Sequence, residues 1–406
     1  MTSEDLIGII ELGNVKIKCV IFTIDNDDQA QILSSSTNFS EGIHNGVIIN
    51  LSKASKAIRS CISDAEKKAE VTLKKINVVI DQPEFLCTKL SKDRKINGSK
   101  VHKEDIEFLL KEAKKQVTLN DDRQSIIHIF NHNYIVDGKT FFEEPIDVYA
   151  DYLSHEMTFI TMPKNNIKNI NQAFIDCDIE IERYISCTFA LAVELLNHKD
   201  LQNGAILIDL GFEKTSFALF KNLALINLMT LPIGTNHIAK DVSKVCSLTM
   251  EESNLIIKKF NFLFENNNDN FFDKDNYLKE TYFTQSNYRK ISKSLIINII
   301  EARINEILEM IKKNILLANS KEIFGIKIFV TGVGSCFDNI DVYCNNFFGS
   351  EVLKINNKKI TNESEESLSS CLGAFKLIKD GWETEAIPEK TGKYAQKKGF
   401  FAKIFS

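Results

Sequence analysis

Three glycine turns, each behind a short apolar run, constrain this chain more than any other feature. The stretch "LIGIIELGNVKIKCVIF" (6–22) runs apolar to Glu11, turns at Gly13-Asn14, and returns with Val15, Ile17, Cys19 and Ile21 alternating with Lys16 and Lys18. An apolar run, a Gly-Asn turn and a period-two run make a β-hairpin pattern. The stretch "AILIDLGFEKTSFALF" (205–220) repeats it: Ala205 to Ile208 lead to Asp209, the chain turns at Gly211, and Phe217 to Phe220 resume. Both hairpins set an acidic residue two positions before a glycine. The third stretch, "IKIFVTGVGSCFDNI" (326–340), is a buried-strand pattern ending in Thr331-Gly332-Val333-Gly334-Ser335. Glycines after a strand let backbone approach a ligand and leave amides free to donate. Three such turns, two behind a carboxylate, point to two related half-domains that face one another and serve one ligand.

The rest of the chain fits that frame. Its 406 residues exceed what one hydrophobic core serves, so more than one domain is expected. Ala54, Ile58, Cys61, Ile62, Ala65 and Ala69 recur at helical spacing between Leu51 and Ala69, as do Ile296, Ile300, Ile304, Ile307, Leu308, Ile311 and Ile315; both read as core helices. From about Cys87 to Thr161 the pattern interrupts the first domain. An amphipathic helix with Ile106, Leu109, Leu110, Ala113 and Val117 on one face is followed by short strands in "SIIHIFNHNYIVDG" and "EMTFITM". Residues 262–287, rich in Asn, Asp and Phe, read as a mobile surface excursion. A net charge of -5 without a long basic block argues against a nucleic-acid partner. The nine cysteines form no C-x-x-C pair or Cys/His cluster, which reads as free thiols in a reducing compartment. The start, "MTSEDLIGII", lacks the basic region of a signal peptide, and no run approaches the ~20 apolar residues that span a bilayer. The body is therefore expected to be cytoplasmic.

The three turns match the phosphate-1, phosphate-2 and adenosine motifs of the actin-like ATPase superfamily. Over nearly its whole length the chain resembles one of its branches, the FtsA family of bacterial cell division. "ELGNVKI" resembles the family's first phosphate motif, and "EGIHNGVIINLSKASKAIRSCISDAEKKA" the segment after it. "LPIGTNHIAKDV" resembles the stretch after the second phosphate motif, "SSCLGAFKLIKDG" the last core helix, and "KKGFFAKIFS" the membrane-targeting tail. The resemblance implies an α/β, actin-like ATPase fold: two RNase-H-like domains around a nucleotide cleft, with an inserted small α+β subdomain and a C-terminal amphipathic helix. The corresponding limits are 1–86 and 162–200 for the first domain, 87–161 for the insert, 201–380 for the second domain with a subdomain at about 235–300, 381–396 for a linker, and 397–406 for the tail. It also implies a scaffold that anchors FtsZ filaments to the inner face of the cell membrane at the division site. Its partners would be FtsZ, later division proteins met through the insert, further copies of the chain and an anionic membrane surface. Two rivals on the same fold stay open: an ATP-dependent enzyme of kinase or chaperone type, and a pilus-assembly scaffold.

The superfamily's ligand is ATP, cradled by turn amides, with magnesium held by carboxylates, usually through water. Carried over, Glu11 and Asp209 are the magnesium-side carboxylates, Gly13, Asn14, Lys16, Gly211, Lys214 and Thr215 line the phosphates, and Gly332, Gly334 and Ser335 contact the adenosine. The second turn departs from the family pattern. Phe212 and Glu213 stand where glycines are usual; positive φ would be costly for Phe, and Glu213 adds negative charge beside a polyphosphate unless it points away. Lys214 could offset that charge. Asn14 and Val333 also replace the usual residues. Weakened nucleotide binding with slow or no hydrolysis, or a former site kept for architecture, are both compatible with these changes.

In the tail, Phe400, Phe401, Ile404 and Phe405 cover one arc of a helix, with Lys403 opposite and Lys397 and Lys398 flanking it. This is the pattern of an interfacial helix that lies on a membrane. Burying four such side chains is worth about 6–12 kcal/mol gross, against ~10–20 kcal/mol to order ten residues. One tail should bind reversibly, and many tails on one polymer firmly. Docking of the tail on its own domain is the alternative.

Overall fold

The computed structural model describes residues 6–24, 30–258, 271–318, 325–355 and 368–380. The expected linker and tail, with Lys397, Lys398, Phe400, Phe401, Lys403, Ile404 and Phe405, lie outside the described residues. The described residues divide into two compact units, those within 6–204, 218–229 and 368–380, and those within 205–217 and 230–355.

The first hairpin forms as its pattern requires. Strands β1 (Leu6–Leu12) and β2 (Lys16–Ile24) pair antiparallel, with Glu11 opposite Lys18 and Leu12 opposite Ile17. β3 (Ala30–Phe39) extends the meander, and β4 (Ile43–His44) and β5 (Val47–Ile48) make a small hairpin before helix α1 (Leu51–Ala69). The Asn50 side chain caps α1 by accepting from the Lys53 amide at 3.0 Å. Of the expected stripe, Ala54, Ile58, Cys61, Ile62 and Ala65 are fully buried, and Ala69, the last residue of α1, is half-buried. β6 (Lys75–Ile80) runs parallel to β1 on its other side.

The insert follows as β7 (Leu86–Lys100), α2 (Lys103–Asn120), β8 (Gln124–Val136), β9 (Lys139–Phe141) and β10 (Tyr149–Pro163). Its sheet, in the order β7-β10-β8-β9, is antiparallel throughout. Helix α2 supplies Ile106, Leu109, Ala113 and Val117 to two apolar clusters with Tyr134, Leu153, Met157 and Phe159 of the sheet. The charged run "CTKLSKDRKINGSK" has no apolar alternation, yet it is most of the long edge strand β7. Pairing with β10, Leu90 opposite Met157 and Lys95 opposite Tyr152, decides its conformation.

The first unit continues with α3 (Lys164–Ile175), β11 (Glu180–Ser186), α4 (Cys187–Leu195) and α5 (His198–Asn203). Its main sheet has the order β11-β6-β1-β2-β3, with β11 parallel to β6.

A second five-stranded sheet repeats this layout. Strands β12 (Ala205–Leu210), β13 (Thr215–Lys221) and β14 (Ala224–Leu231) stand in for β1, β2 and β3. Helices α6 (Thr235–Cys246), α7 (Met250–Lys258) and α8 (Lys293–Ala318) precede β15 (Lys327–Thr331), α9 (Ile340–Phe348) and β16 (Val352–Lys354). The order is β14-β13-β12-β15-β16, with β15 parallel to both β12 and β16. The repeated acid-x-glycine hairpin thus heads the same strand in two sheets of the same plan. All seven apolar residues expected on α8 are buried. The last described element is α10 (Ser369–Asp380).

One expectation changes. Of the stretch 262–287, the residues from 271 onward are described and are held in place. Leu278 is fully buried, Phe271 packs on Tyr282 at 4.6 Å, and the Glu252 carboxylate accepts from the amides of Gln285 and Ser286 at 2.8 and 3.0 Å. Burial pulls the Glu252 carboxyl upward, but the Ser286 hydroxyl, which donates to it at 2.6 Å, together with the Gln285, Ser286 and Thr249 amides, holds it down at about 2. A polar composition does not reveal an anchor more than thirty residues away in sequence.

Candidate functional site: three glycine turns and their carboxylates

In the first hairpin, Gly13 has no room for a side chain, since an added Cβ would stand 2.5 Å from the Lys16 carbonyl oxygen. Asn14 donates through Nδ2 to Asn45 Oδ1 at 2.8 Å, so the turn is fastened to the tip of the β4–β5 hairpin; its own Oδ1 is buried with no hydrogen-bond partner among the described residues. Lys16 is half-buried, with its ammonium 5.9 Å from the centre of the Phe39 ring. Glu11 is half-buried, and its Oε2 accepts from Ser370 Oγ at 2.5 Å and from Lys18 Nζ at 3.3 Å. The Glu11 charge is the largest influence on Lys18 and raises its pKa.

The second turn answers the two concerns its sequence raised. Neither Phe212 nor Glu213 adopts positive φ, so no backbone strain arises there. Glu213 does point away: Oε1 accepts from Asn236 Nδ2 at 2.6 Å and Oε2 lies 3.6 Å from Lys240 Nζ, both on α6. Gly211 N donates to the Lys214 carbonyl at 3.0 Å, and Lys214 is half-buried. The carbonyls of Gly211 and Phe212 accept from the amides of Thr235 and Asn236 at 3.0 and 2.8 Å, so the turn caps the start of α6. Thr215 is buried and its hydroxyl donates to the Ile233 carbonyl at 2.7 Å. That bond gives the hydroxyl a structural use.

The third turn is built against the end of β12. Gly332 has φ 85, where side chains are strained, and a Cβ there would overlap the Asp209 carboxylate. A Cβ on Gly334 would overlap the Leu210 side chain. Ser335 donates through Oγ to the Gly332 carbonyl at 2.7 Å. Val333 is exposed, so the residue replacing a glycine faces solvent and costs the turn nothing.

Each hairpin, taken by itself, pairs a glycine with a lysine, and in the second Glu213 is drawn off onto α6. A magnesium ion fits Glu11 poorly, because one carboxylate oxygen already accepts two donors and Lys18 balances its charge. Among the described residues no group of three or more His, Cys, Asp or Glu is placed to hold a metal. Reading motifs missed Asn45, Ser370, Gly234 and Asn236. Gly234 and Asn236 lie in "LPIGTNHIAKDV", whose glycine before a helix is a legible signal. Ser370 touches Glu11 across 359 positions of sequence, and no local pattern announces that.

Comparison with known proteins agrees with this architecture. Residues 85–161 match the family model "SHS2 domain inserted in FTSA", and residues 206–373 match "Cell division protein FtsA". A curated relative, "Cell division protein FtsA" of Agrobacterium fabrum, is 23% identical over 344 residues, covering 81% of this chain and 76% of the relative. Two solved structures share the fold. The PilM-PilN type IV pilus biogenesis complex aligns with TM-score 0.59 at 10% identity, over 93% of this chain and 96% of that one. MreB5 of Spiroplasma citri bound to ADP aligns with TM-score 0.55 at 11% identity, over 93% and 98%. The fold is the actin-like ATPase fold with an inserted subdomain, and the chain belongs to the FtsA family of cell division proteins.

Proposed function

We propose that this chain is a division scaffold that tethers FtsZ filaments to the inner face of the cell membrane and recruits later division proteins. The observation that carries the reading is the joint match of the FtsA model and its characteristic insert within one chain. The insert, with its own sheet, helix and apolar clusters, has the build of a separate docking module for those proteins. Membrane attachment is assigned to the tail: among the described residues no helix is long and apolar enough to cross a bilayer, and the amphipathic pattern of 397–406 suits an interfacial helix. The domain limits are those of the sequence reading.

ATP acts as an assembly switch for copies of the chain and is turned over slowly or not at all. Gly13, Asn14, Lys16, Gly211 and Lys214 serve its phosphates, and Gly332, Gly334 and Ser335 its adenosine. Asp209, half-buried at the end of β12, is the carboxylate nearest the third turn.

The test is co-sedimentation with anionic liposomes, comparing the full chain with one truncated after Gln396, each with and without Mg-ATP. Only the full chain should pellet with lipid, and ATP should increase the bound fraction. A peptide of the FtsZ C-terminus should be retained by both forms. Equal lipid binding by the two forms would reject the anchor, and failure to retain the peptide would reject the tether.

A further inference from the structure

The first hairpin carries its acidic residue for a purpose its motif does not disclose. Glu11 lies directly across from Lys18 in the β1/β2 ladder, so the ion pair is set by strand register. The same carboxylate oxygen accepts from Ser370, which is buried in the first turn of α10. Both side chains of the ion pair are less than one-fifth exposed. A charge-assisted bond from a buried hydroxyl is stronger than an ordinary one, and removing one partner leaves the other unsatisfied.

The remainder of α10 is fitted just as closely to the same unit. Gly373 sits against the Ala190 carbonyl of α4, where a Cβ would overlap it. Phe375 stacks on Phe22 of β2 at 4.6 Å, and Lys376 pairs with Glu194 of α4 at 2.8 Å. The α10 helix is thus clasped along its length, and Glu11 is the clasp at its start.

We propose that Glu11 is a latch that holds the first turn of α10 on the phosphate hairpin through Ser370, with Lys18 balancing its charge, and that it does not serve as a magnesium-side carboxylate. The statement about magnesium rests on the nucleotide reading above; the statement about α10 does not. Both bonds fall on Oε2, so a divalent ion drawing on that oxygen would have to displace both existing partners. The latch also ties the hairpin that heads the first sheet to the last described helix, so displacement of the turn and loosening of α10 are one event.

The test uses the full chain, wild type against Ser370→Ala and Glu11→Gln, with two readouts. Hydrogen exchange in peptides spanning 369–375 should quicken by about fivefold or more in both variants. The ratio of ATP affinities measured with magnesium and with EDTA should stay that of the wild type in both. The inference is overturned if exchange in α10 is unaltered. It is equally overturned if Glu11→Gln drives the magnesium-to-EDTA ratio toward one while Ser370→Ala leaves it alone, since that pattern belongs to a metal-side ligand. A wild-type chain that binds ATP in neither buffer defeats the nucleotide reading, and the exchange measurement still decides the latch.

Discussion

At the residue scale, the site is a set of small positions whose sizes are dictated by neighbours. Gly332 is the sharpest case, combining φ 85 with the Asp209 carboxylate at the place a Cβ would occupy. Gly332→Ala should cost at least about 2 kcal/mol of stability through backbone strain and displacement of Asp209, read as a lower denaturation midpoint. Thr215→Val removes a hydroxyl that donates to the Ile233 carbonyl. It should lower stability by about 1 kcal/mol and leave ATP affinity within twofold of wild type; a tenfold loss by equilibrium titration would return Thr215 to the phosphate site. The glycines, the acids and the lysines of the turns were legible in the sequence, because backbone approach and charge require those residue types. Their partners were not. Asn14 meets Asn45, Glu213 meets Asn236 and Glu11 meets Ser370 only after distant segments have packed.

At the scale of elements, the insert carries two buried histidines with opposite provisions. His128 accepts from the Ser186 amide at 2.9 Å, beside the Asp81 carboxylate that also takes the Ser186 and Thr188 hydroxyls. His155 stacks on Tyr134 at 4.3 Å, and both its ring nitrogens and the Tyr134 hydroxyl are buried without hydrogen-bond partners among the described residues. Burial pushes His128 well below its ordinary value and brings His155 down to about 4 from 6.5. For a histidine depressed on folding, the full stabilisation is present above the unfolded value and is lost as pH falls toward the folded one. For His155 that window runs from 6.5 down to about 4, and the loss reaches about 3 kcal/mol. Hydrogen exchange within 85–161, corrected for the intrinsic effect of pH, should show the insert loosening across this window. In His155→Leu the loosening should be smaller, and an equal response in that variant would show that other groups drive it. Helix α2 and strand β8 were visible through their periodicity, whereas β7 was not. A charged edge strand has no apolar alternation, and β10 imposes its conformation by pairing.

For the whole molecule, burial of the cysteines gives a simple check of the arrangement. Eight of the nine thiols are buried or half-buried, and Cys336, just beyond the third glycine turn, is the exposed one. Under native conditions a thiol reagent should label Cys336 first and Cys87 more slowly, with the rest reacting after denaturation; mass mapping of the labelled sites tests this. Rapid labelling of Cys19, Cys61 or Cys371 would contradict the packing of the first unit. By itself the sequence determined the repeated hairpin, the helical stripes and the place of the insert, because strand and helix periods and glycine turns are local properties of the chain. It also carried enough pattern to indicate the family. Only the tertiary structure decided that Phe212 is unstrained, that Glu213 is turned onto α6, and that Glu11 is committed to Ser370 and Lys18. A motif specifies which side chains stand at a turn. Which oxygen meets which donor depends on elements hundreds of positions away, and folding alone brings them together.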